Sequence, residues 1–269
     1  MNFLGKDNRA LIIAMDHART HGIRQNPDDP NTFLHGLEDP GKVIDAAIEG
    51  GADGMMTTFG VVKRYRERLI GHIPTIMRLD GGPSFYREDW LHYTEWSLLH
   101  TVEEALLLGV DGVVVNLFLG GEMELRTYEV ISKVAGQALK ANVALFVEAM
   151  PSPSERIPNT KAAEAIASAA RLAFEHGADY VKNYYTGDID SYRQVVEWCP
   201  VPVLIAGGAK MDTEEQALQV TYDALRAGAA GVFFGRNVWQ NPNMVGMIKA
   251  LRQVIHDNGS VQEALNWLT

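Results

Sequence analysis

The sequence has a single cysteine, no excess of positive charge and no long apolar run, and each absence excludes a class of protein. One cysteine, Cys199, excludes an internal disulfide, and its setting between a tryptophan and a proline favours a structural role. The formal net charge of -10 argues against nucleic acid or an anionic membrane as a partner. No stretch is long and apolar enough to span a bilayer, and residues 1–9 lack the layout of a signal peptide, so we expect a cytoplasmic protein.

The composition is that of one globular domain. Of the 269 residues, 46% are hydrophobic and 22% charged, which suits a single sizeable core. No linker-like or low-complexity tract interrupts the chain, so we expect one domain over residues 1–269.

A repeated pattern predicts the fold. In four places a helix-like segment ends in glycine, which favours the left-handed conformation that stops a helix, and a short apolar run follows at once. Four further apolar runs read as strands without that glycine. None of the runs alternates polar and apolar residues, as expected for parallel strands covered on both faces. The first set is Glu49–Met56, Leu108–Val115, His176–Lys182 and Ala227–Phe234, and the second is Ala10–Met15, Thr75–Leu79, Val143–Val147 and Val203–Ala206.

Eight strands alternate with amphipathic segments of helical length, clearest at Lys161–Glu175 and Thr213–Arg226. Eight β-then-α units in a chain of this length predict an α/β fold, a single (β/α)8 TIM barrel. A doubly wound open sheet is the alternative. In such a barrel the chemistry belongs at the carboxyl ends of the strands, so the side chains there are the candidates for a functional site.

Lys182 is the most informative of these side chains, because it ends an otherwise apolar strand, the sixth. Desolvating an ammonium group is costly, and a lysine amine held in a pocket is the reagent for Schiff-base chemistry on a carbonyl. A lysine at a strand end that reaches solvent is the alternative. Tyr184 follows on the same face, where it either hydrogen-bonds an intermediate or merely walls the pocket.

Two carboxylates are placed by strand parity to face Lys182. Asp16 ends the first strand and shares its face with Ile12, and Glu148 ends the fifth strand next to that of Lys182. Asp16 could orient the lysine or move protons, or be a turn aspartate. Glu148 could form a purely structural ion pair with Lys182. If it acts as a general acid, we expect its pKa to be raised.

Loops after the first and third strands supply further candidates. His17 and His21 follow the first strand and open a long loop, residues 18–40, that could act as a lid. Arg78 and Asp80 share one face of the third strand, so an interior ion pair is expected. The following segment, Phe85–Trp96, is rich in aromatic residues and either covers the site or makes an oligomer contact.

Glycine-rich ends of the seventh and eighth strands predict a phosphate site. Gly207 and Gly208 end one strand, and Gly235 and Arg236 end the other, with a short helix expected from near Arg236. Glycines let backbone N–H groups approach an anion, and these two loops are the recurring phosphate site of this barrel. Ordinary tight turns are the alternative. A reactive lysine facing a phosphate cradle is the layout for a phosphorylated ketose or keto compound.

Over nearly its full length the sequence resembles the class I, archaeal-type fructose-bisphosphate aldolases of the DeoC/LacD-type superfamily, which are related to 2-amino-3,7-dideoxy-D-threo-hept-6-ulosonate synthase and the autoinducer-2 thiolase. The resemblance implies a Schiff base on Lys182, an acidic neighbour in Asp16, and a homo-oligomer, commonly a decamer. We expect no cofactor and no metal. The matching segments are Met15–His17, Val181–Asp188, Cys199–Val203 with Ile205–Gly208, and Ala227–Gly231 with Gly235–Asn237. It also implies phosphate contacts from Gly207, Gly208, Gly235 and Arg236, and we add His17 and Asp80 as candidate substrate contacts.

One departure bears on the substrate. The fructose-bisphosphate and ulosonate enzymes carry a proton-donating tyrosine just before the proline that follows the fifth strand, and Met150 stands there in this chain. The proton role must therefore pass to Glu148, Tyr184, Asp16 or a histidine from a loop, or the reaction differs, and we do not expect efficient cleavage of fructose 1,6-bisphosphate.

Three functions remain open. The first is a Schiff-base aldolase acting on a phosphorylated ketose, a lyase. The second is thiolase- or transaldolase-like group transfer with the same lysine. The third is a phosphate-binding oligomer that has lost catalysis. A metal-dependent aldolase is disfavoured, because the eight histidines do not cluster at adjacent strand ends.

Overall fold

A computed structural model describes residues 3–26, 28–87 and 95–268, and its centre is a closed barrel of parallel strands. The sheet order is β1-β8-β7-β6-β5-β4-β3-β2, and β1 pairs with both β8 and β2. This closure confirms the predicted (β/α)8 barrel and excludes the open sheet. The strands are β1 Ala10–Met15, β2 Gly54–Thr58, β3 Thr75–Arg78, β4 Gly112–Leu119, β5 Ala144–Pro151, β6 Tyr180–Tyr184, β7 Val203–Ala206 and β8 Gly231–Phe234.

Helices surround the barrel. The helix predicted from Lys161 begins two residues later, at Ala163, and the helix predicted from Thr213 begins one residue later, at Glu214. Thr213 caps its helix by accepting a hydrogen bond from the backbone N–H of Gln216, which is why that helix begins at residue 214. The helices are α1 Ala18–His21, α2 Pro40–Gly50, α3 Phe59–Arg64, α4 Arg66–Leu69, α5 Val102–Leu108, α6 Glu124–Ala141, α7 Ala163–Glu175, α8 Ile189–Trp198, α9 Glu214–Arg226, α10 Arg236–Trp239, α11 Met244–His256 and α12 Val261–Ala264, followed by a 3-10 turn, Leu265–Trp267. None of the described helices has the length and apolar character needed to cross a membrane.

The glycines that end the repeated helical segments adopt the predicted left-handed backbone. Their φ angles are 77° at Gly51, 88° at Gly109, 107° at Gly177 and 101° at Gly228. A residue with a Cβ is strained in this region, so these glycines end helices and turn the chain into β2, β4, β6 and β8.

Strand alternation divides the core into two layers and decides which side chains reach the barrel mouth. Ile12, Phe146 and Phe233 belong to the cluster that fills the barrel interior, whereas a larger cluster packs between the strands and the helices. The residues of interior parity at the carboxyl ends of the strands lie above this filled interior. Cys199 lies outside the barrel; its thiol is buried, donates to the carbonyl oxygen of Ala170 at 3.7 Å, and has a pKa raised by burial, which suits the predicted structural role.

Two short pairs of strands follow β1 and β3, at the end of the barrel that carries the mouth. Strands Arg24–Asn26 and Asp29–Phe33 pair within the loop of residues 18–40, and Asp80–Gly81 pairs with Ser97–Leu98. The second pair brings Trp96, which is buried, to the rim of the mouth. Residues 88–94 of the aromatic segment lie outside the described residues, and a lid role for residues 18–40 stays a prediction.

Candidate active site

Lys182 lies at the mouth of the barrel with its amine against a carboxylate. It is paired in register with Glu148 of β5 and Leu204 of β7, and 6% of its surface is exposed. Its Nζ is 2.7 Å from Oε1 of Glu148 and 5.5 Å from the centroid of the Phe233 ring. The lysine therefore does not reach out to solvent.

Arg78 of β3 joins the acidic residues of the site into one network. Its Nε donates to Oδ2 of Asp16 at 3.0 Å, Nη1 to Oδ1 of Asn116, and Nη2 to Oε2 of Glu148. The expected ion pair with Asp80 is present at 3.4 Å. Arg78 is 2% exposed. Its guanidinium group is therefore held in place by four acceptor side chains, each on a strand or at the end of one.

Asp80 lies beneath this network rather than in the open mouth. One of its oxygens accepts from Nε1 of Trp96 at 2.7 Å and from the backbone N–H of Asn116 at 2.5 Å, and the other faces Arg78. Both oxygens are engaged and 1% of the residue is exposed. These contacts hold Asp80 against Arg78 and Trp96, and its role as a substrate contact stays a prediction.

The expected raised pKa of Glu148 is wrong. Burial on its own would raise it, but Lys182 and Arg78 outweigh burial and lower the pKa of Glu148 to about 2. The carboxylate is therefore an anion at neutral pH while both cations face it. The sequence indicated Lys182, whose charge lowers this pKa the most, as the partner of Glu148, but it did not indicate Arg78, whose charge lowers it further.

Asp16 is held as an anion for the same reason. Burial would raise the pKa of this carboxyl, whereas Arg78 first and Lys182 second hold it well below its usual range. Its Oδ2 is bound to Arg78, so it faces the mouth from β1 with a fixed orientation. Asp16 and Glu148 thus approach Lys182 and Arg78 from two sides of the barrel.

These groups line one cavity of about 180 Å³. Asp16, His17, Glu148, Lys182 and Tyr184 all contribute to its wall, so the structure brings together every predicted catalytic residue and one predicted substrate contact.

Met150, which stands where the family carries a tyrosine, lines this cavity too. It packs in a small apolar cluster with Trp96 and Phe118, against which Tyr184 also packs. A thioether cannot move a proton, so the proton steps fall to other groups on this wall.

His17 lies between the cavity and the end of β8. Its Cε1 is close enough to Gly235 that a Cβ at that glycine would approach it to 2.7 Å, and its ring meets Trp239 edge-on at 5.4 Å. Burial, together with the positive charges of Arg236 and Lys182, lowers the pKa of His17 to about 4, so the ring is neutral at pH 7. The neutral ring of His17 has one N–H donor and one acceptor nitrogen, so it can form a hydrogen bond there without adding charge.

The predicted phosphate cradle is assembled from the ends of β7 and β8. The Nε of Arg236 donates to the carbonyl oxygen of Gly208 at 3.0 Å, which links the two loops, and α10 begins at Arg236 as expected. Gly208 has a φ of 66°, and a Cβ at Gly235 would lie 2.7 Å from the carbonyl oxygen of Ala14. The N–H of Gly207 already donates to the carbonyl oxygen of Phe233 at 3.1 Å, so Gly207 offers close approach rather than a donor.

The sequence did not predict the place of two arginines in the site. Arg78 was expected only to pair with Asp80, and Arg19 was not considered. Arg19 lines the same cavity, and its Nη1 donates to the carbonyl oxygen of Asp80 at 2.9 Å. The parity of Arg78 with Asp80 was the available signal, whereas nothing in the sequence around Arg19 distinguishes it from a surface arginine.

Comparison with known proteins agrees with this geometry. Residues 10–241 match the profile described as DeoC/LacD family aldolase. The chain belongs to the DeoC/LacD aldolase family. This is a family of class I aldolases, which are lyases that form a Schiff base on a catalytic lysine.

Individual relatives cover nearly the whole chain. It is similar to the class 1 fructose-bisphosphate aldolase of Thermoproteus tenax, with 31% identity over 99% of this chain and 97% of that one. It is 29% identical to the 3-hydroxy-5-phosphonooxypentane-2,4-dione thiolase of Photorhabdus laumondii, over 97% of this chain and 82% of that one. A solved archaeal fructose-1,6-bisphosphate aldolase, with its catalytic lysine covalently bound to the carbinolamine intermediate, superimposes with a TM-score of 0.81 at 31% identity, over 94% of this chain and 96% of that one.

Proposed function

We propose that Lys182 is the Schiff-base lysine of this chain and that its substrate is a ketose or related keto compound carrying a phosphate. The observation that carries the proposal is the amine of Lys182, buried at the barrel mouth, lining the cavity and 2.7 Å from Oε1 of Glu148. An amine in contact with a carboxylate has a proton acceptor at hand, which a lysine needs before it can attack a carbonyl.

Glu148 then serves as the proton carrier for imine formation. It takes a proton from the Lys182 ammonium, and the neutral amine adds to the substrate carbonyl to give a carbinolamine. While the lysine is neutral, the cation that most lowers the pKa of Glu148 is gone, so the carboxyl can hold the proton. It returns the proton to the carbinolamine hydroxyl, which leaves as water, and the protonated imine remains.

The protonated imine draws electrons from the bond between the α and β carbons of the substrate, counted from the imine carbon. In the cleavage direction, a carboxylate accepts the proton of the substrate hydroxyl, the carbon–carbon bond breaks, and an aldehyde and an enamine form. Protonation of the enamine carbon and hydrolysis of the imine release the second product and restore Lys182. Asp16 and Glu148 are the carboxylates on the cavity wall, and Arg78 keeps both aimed at the reacting atoms.

We propose the cradle at Gly208, Gly235 and Arg236 as the phosphate site, with His17 as a neutral hydrogen-bonding neighbour. Two features support this: an arginine that bridges the loops of β7 and β8, and a glycine at 235 where any Cβ would collide. A homo-oligomer remains a prediction, which light scattering in solution would test.

Group transfer by the same lysine is the second candidate, favoured by Met150. One relative is a thiolase, and this site lacks the tyrosine of the aldolases. Both facts fit a reaction whose proton transfers differ from those of an aldolase. A turnover assay on a panel of ketose phosphates separates the two: a free aldehyde product supports the aldolase, and an acyl group found on an added acceptor supports transfer. Lys182→Met is the control and is expected to abolish either. Full activity of that variant would contradict both.

A further inference from the structure

A second cavity of about 360 Å³ adjoins the catalytic one. It lies outside the ends of β1, β2 and β3, and Asp16, Arg19 and Arg78 line both cavities. In the barrel order β2 is four strands from β6 in either direction, so this cavity lies across the mouth from Lys182. A molecule held on Lys182 therefore has one route towards the glycine-rich loops of β7 and β8 and another towards this second cavity.

The wall of the second cavity is mainly apolar. Met15, Leu37, Phe59 and Val61 contribute to it, and the ring of Phe59 is stacked on that of His100 at 4.4 Å and 6°. Apolar walls of this kind bind carbon chains or rings, and they penalise a dianionic group that would lose its hydration there.

One side chain of this cavity, Arg19, has an unused hydrogen-bond donor. Among the residues that the structure describes, its buried Nε has no hydrogen-bond partner, whereas Nδ1 of His100, which also lacks one, lies 3.8 Å from Oε2 of Glu104. The guanidinium of Arg19 is nonetheless fixed, because Nη1 is bound to the carbonyl oxygen of Asp80 and Cζ lies 5.2 Å from the Trp96 ring centroid. An arginine Nε–H can only donate, so its missing partner is an acceptor oxygen. Buried polar groups without partners are uncommon, and a ligand oxygen would satisfy this one.

We propose that the second cavity binds the half of the substrate that leaves as an aldehyde, and that this half is an apolar, unphosphorylated chain or ring whose oxygen next to the carbonyl accepts from Arg19. The inference rests on the proposed function, since it assigns the two arms of an imine held on Lys182. The phosphate-bearing arm runs to Arg236 and the other arm runs past Arg19. The substrate thus carries one phosphate and not two.

The test is the aldol addition of aldehydes to the ketone phosphate that forms the best borohydride-trapped imine. Three aldehydes are compared: 2-hydroxyhexanal, hexanal, which lacks the oxygen offered to Arg19, and glyceraldehyde 3-phosphate. We expect kcat/KM for 2-hydroxyhexanal to exceed that for glyceraldehyde 3-phosphate by at least about tenfold, the size of effect that a few buried carbons produce. In Arg19→Gln the ratio of kcat/KM for 2-hydroxyhexanal to that for hexanal should fall by about tenfold or more.

Controls keep this result separate from a folding defect. The ratio of two aldehydes on one enzyme is insensitive to the fraction of active protein, and Arg24→Gln, a change outside both cavities, should leave it unchanged. Leu37→Gln makes the wall polar and should reduce the preference for both six-carbon aldehydes over glyceraldehyde 3-phosphate.

Three outcomes would overturn the proposal. A preference for glyceraldehyde 3-phosphate would mean that the second cavity takes a phosphate. An unchanged aldehyde ratio in Arg19→Gln would remove Arg19 from recognition. An imine that forms but adds none of the aldehydes would refute the assignment of the cavity while leaving the imine mechanism standing. Failure to trap any imine on the wild-type chain would instead refute the proposed function, and this inference with it.

Discussion

Replacing Glu148 by glutamine tests the proton role and the electrostatics of the site together. The two oxygens of Glu148 accept from different cations, Oε1 from Lys182 and Oε2 from Arg78. Glutamine has nearly the same shape, but it offers one acceptor oxygen and one donor NH₂. Whichever way the amide is turned, its NH₂ meets a cationic donor, so one of the two charged hydrogen bonds is lost and the carboxylate charge is removed.

The magnitudes follow from burial. Only 13% of the Glu148 side chain and 7% of that of Lys182 are exposed, so solvent does not replace the lost bond. We expect the free energy of unfolding to fall by about 2–3 kcal/mol, the range for a lost hydrogen bond to a charged group in such a setting. Removing the proton carrier should lower kcat by about 10²–10⁴-fold, because that is the contribution of a positioned acid or base.

The assay should separate imine formation from turnover. Single-turnover borohydride trapping measures the rate at which the imine forms, and steady-state product release measures the whole cycle. Both should slow in Glu148→Gln. Glu129→Gln is the matched control, since that glutamate is 59% exposed on α6 and should leave both rates unchanged. Wild-type turnover by Glu148→Gln would refute the reasoning, because another group would then be carrying the proton.

Three further predictions concern charges elsewhere in the chain. Arg78→Lys keeps the charge but loses the fork, so kcat should fall by about 100-fold and urea unfolding should show a loss of about 2–4 kcal/mol; equal stability would contradict the network described. Arg236→Gln should raise KM for the phosphorylated ketone about 10- to 100-fold, measured against an unphosphorylated analogue whose KM should not change. His256 binds Asp7 and Asp53, each at 2.8 Å; burial lowers its pKa, but these carboxylates outweigh burial and raise it. The stabilisation that His256 provides is therefore full below about pH 6.5 and is lost as the pH rises through the folded-state pKa. The free energies of unfolding of His256→Gln and the wild type should differ by roughly 1–2 kcal/mol at pH 5.5 and converge at high pH. A difference that grows with pH would reverse the sign of this linkage.

The sequence was sufficient for the fold and for the placement of Glu148 and Lys182 at the mouth. Glycine at the helix ends and apolar runs without alternation depend on local chemistry, and the left-handed φ angles at Gly109 and Gly177 confirm that part directly. The interior placement of Glu148 and Lys182 followed from strand parity, because successive residues of a strand alternate faces whatever surrounds them.

The network around Arg78 could not be predicted in the same way. Its acceptors come from four separate parts of the chain, and their distances depend on the stagger of the closed barrel, which places Asn116 opposite Glu148 and Arg78 opposite Val114. The contribution of Arg78 to the lowered pKa of Glu148 depended on that geometry too. The hydrogen bond that occupies the N–H of Gly207 likewise arises from the pairing of neighbouring strand ends, and the glycine alone does not indicate it.

The measurement that tests the central claim most directly is borohydride trapping with a panel of ketose phosphates and dihydroxyacetone phosphate, read by intact and peptide mass spectrometry. We expect one reduced adduct per chain, on the peptide that contains Lys182, and no adduct in Lys182→Met. An adduct on another lysine, or none with any compound that binds, would contradict the assignment of Lys182 as the Schiff-base residue.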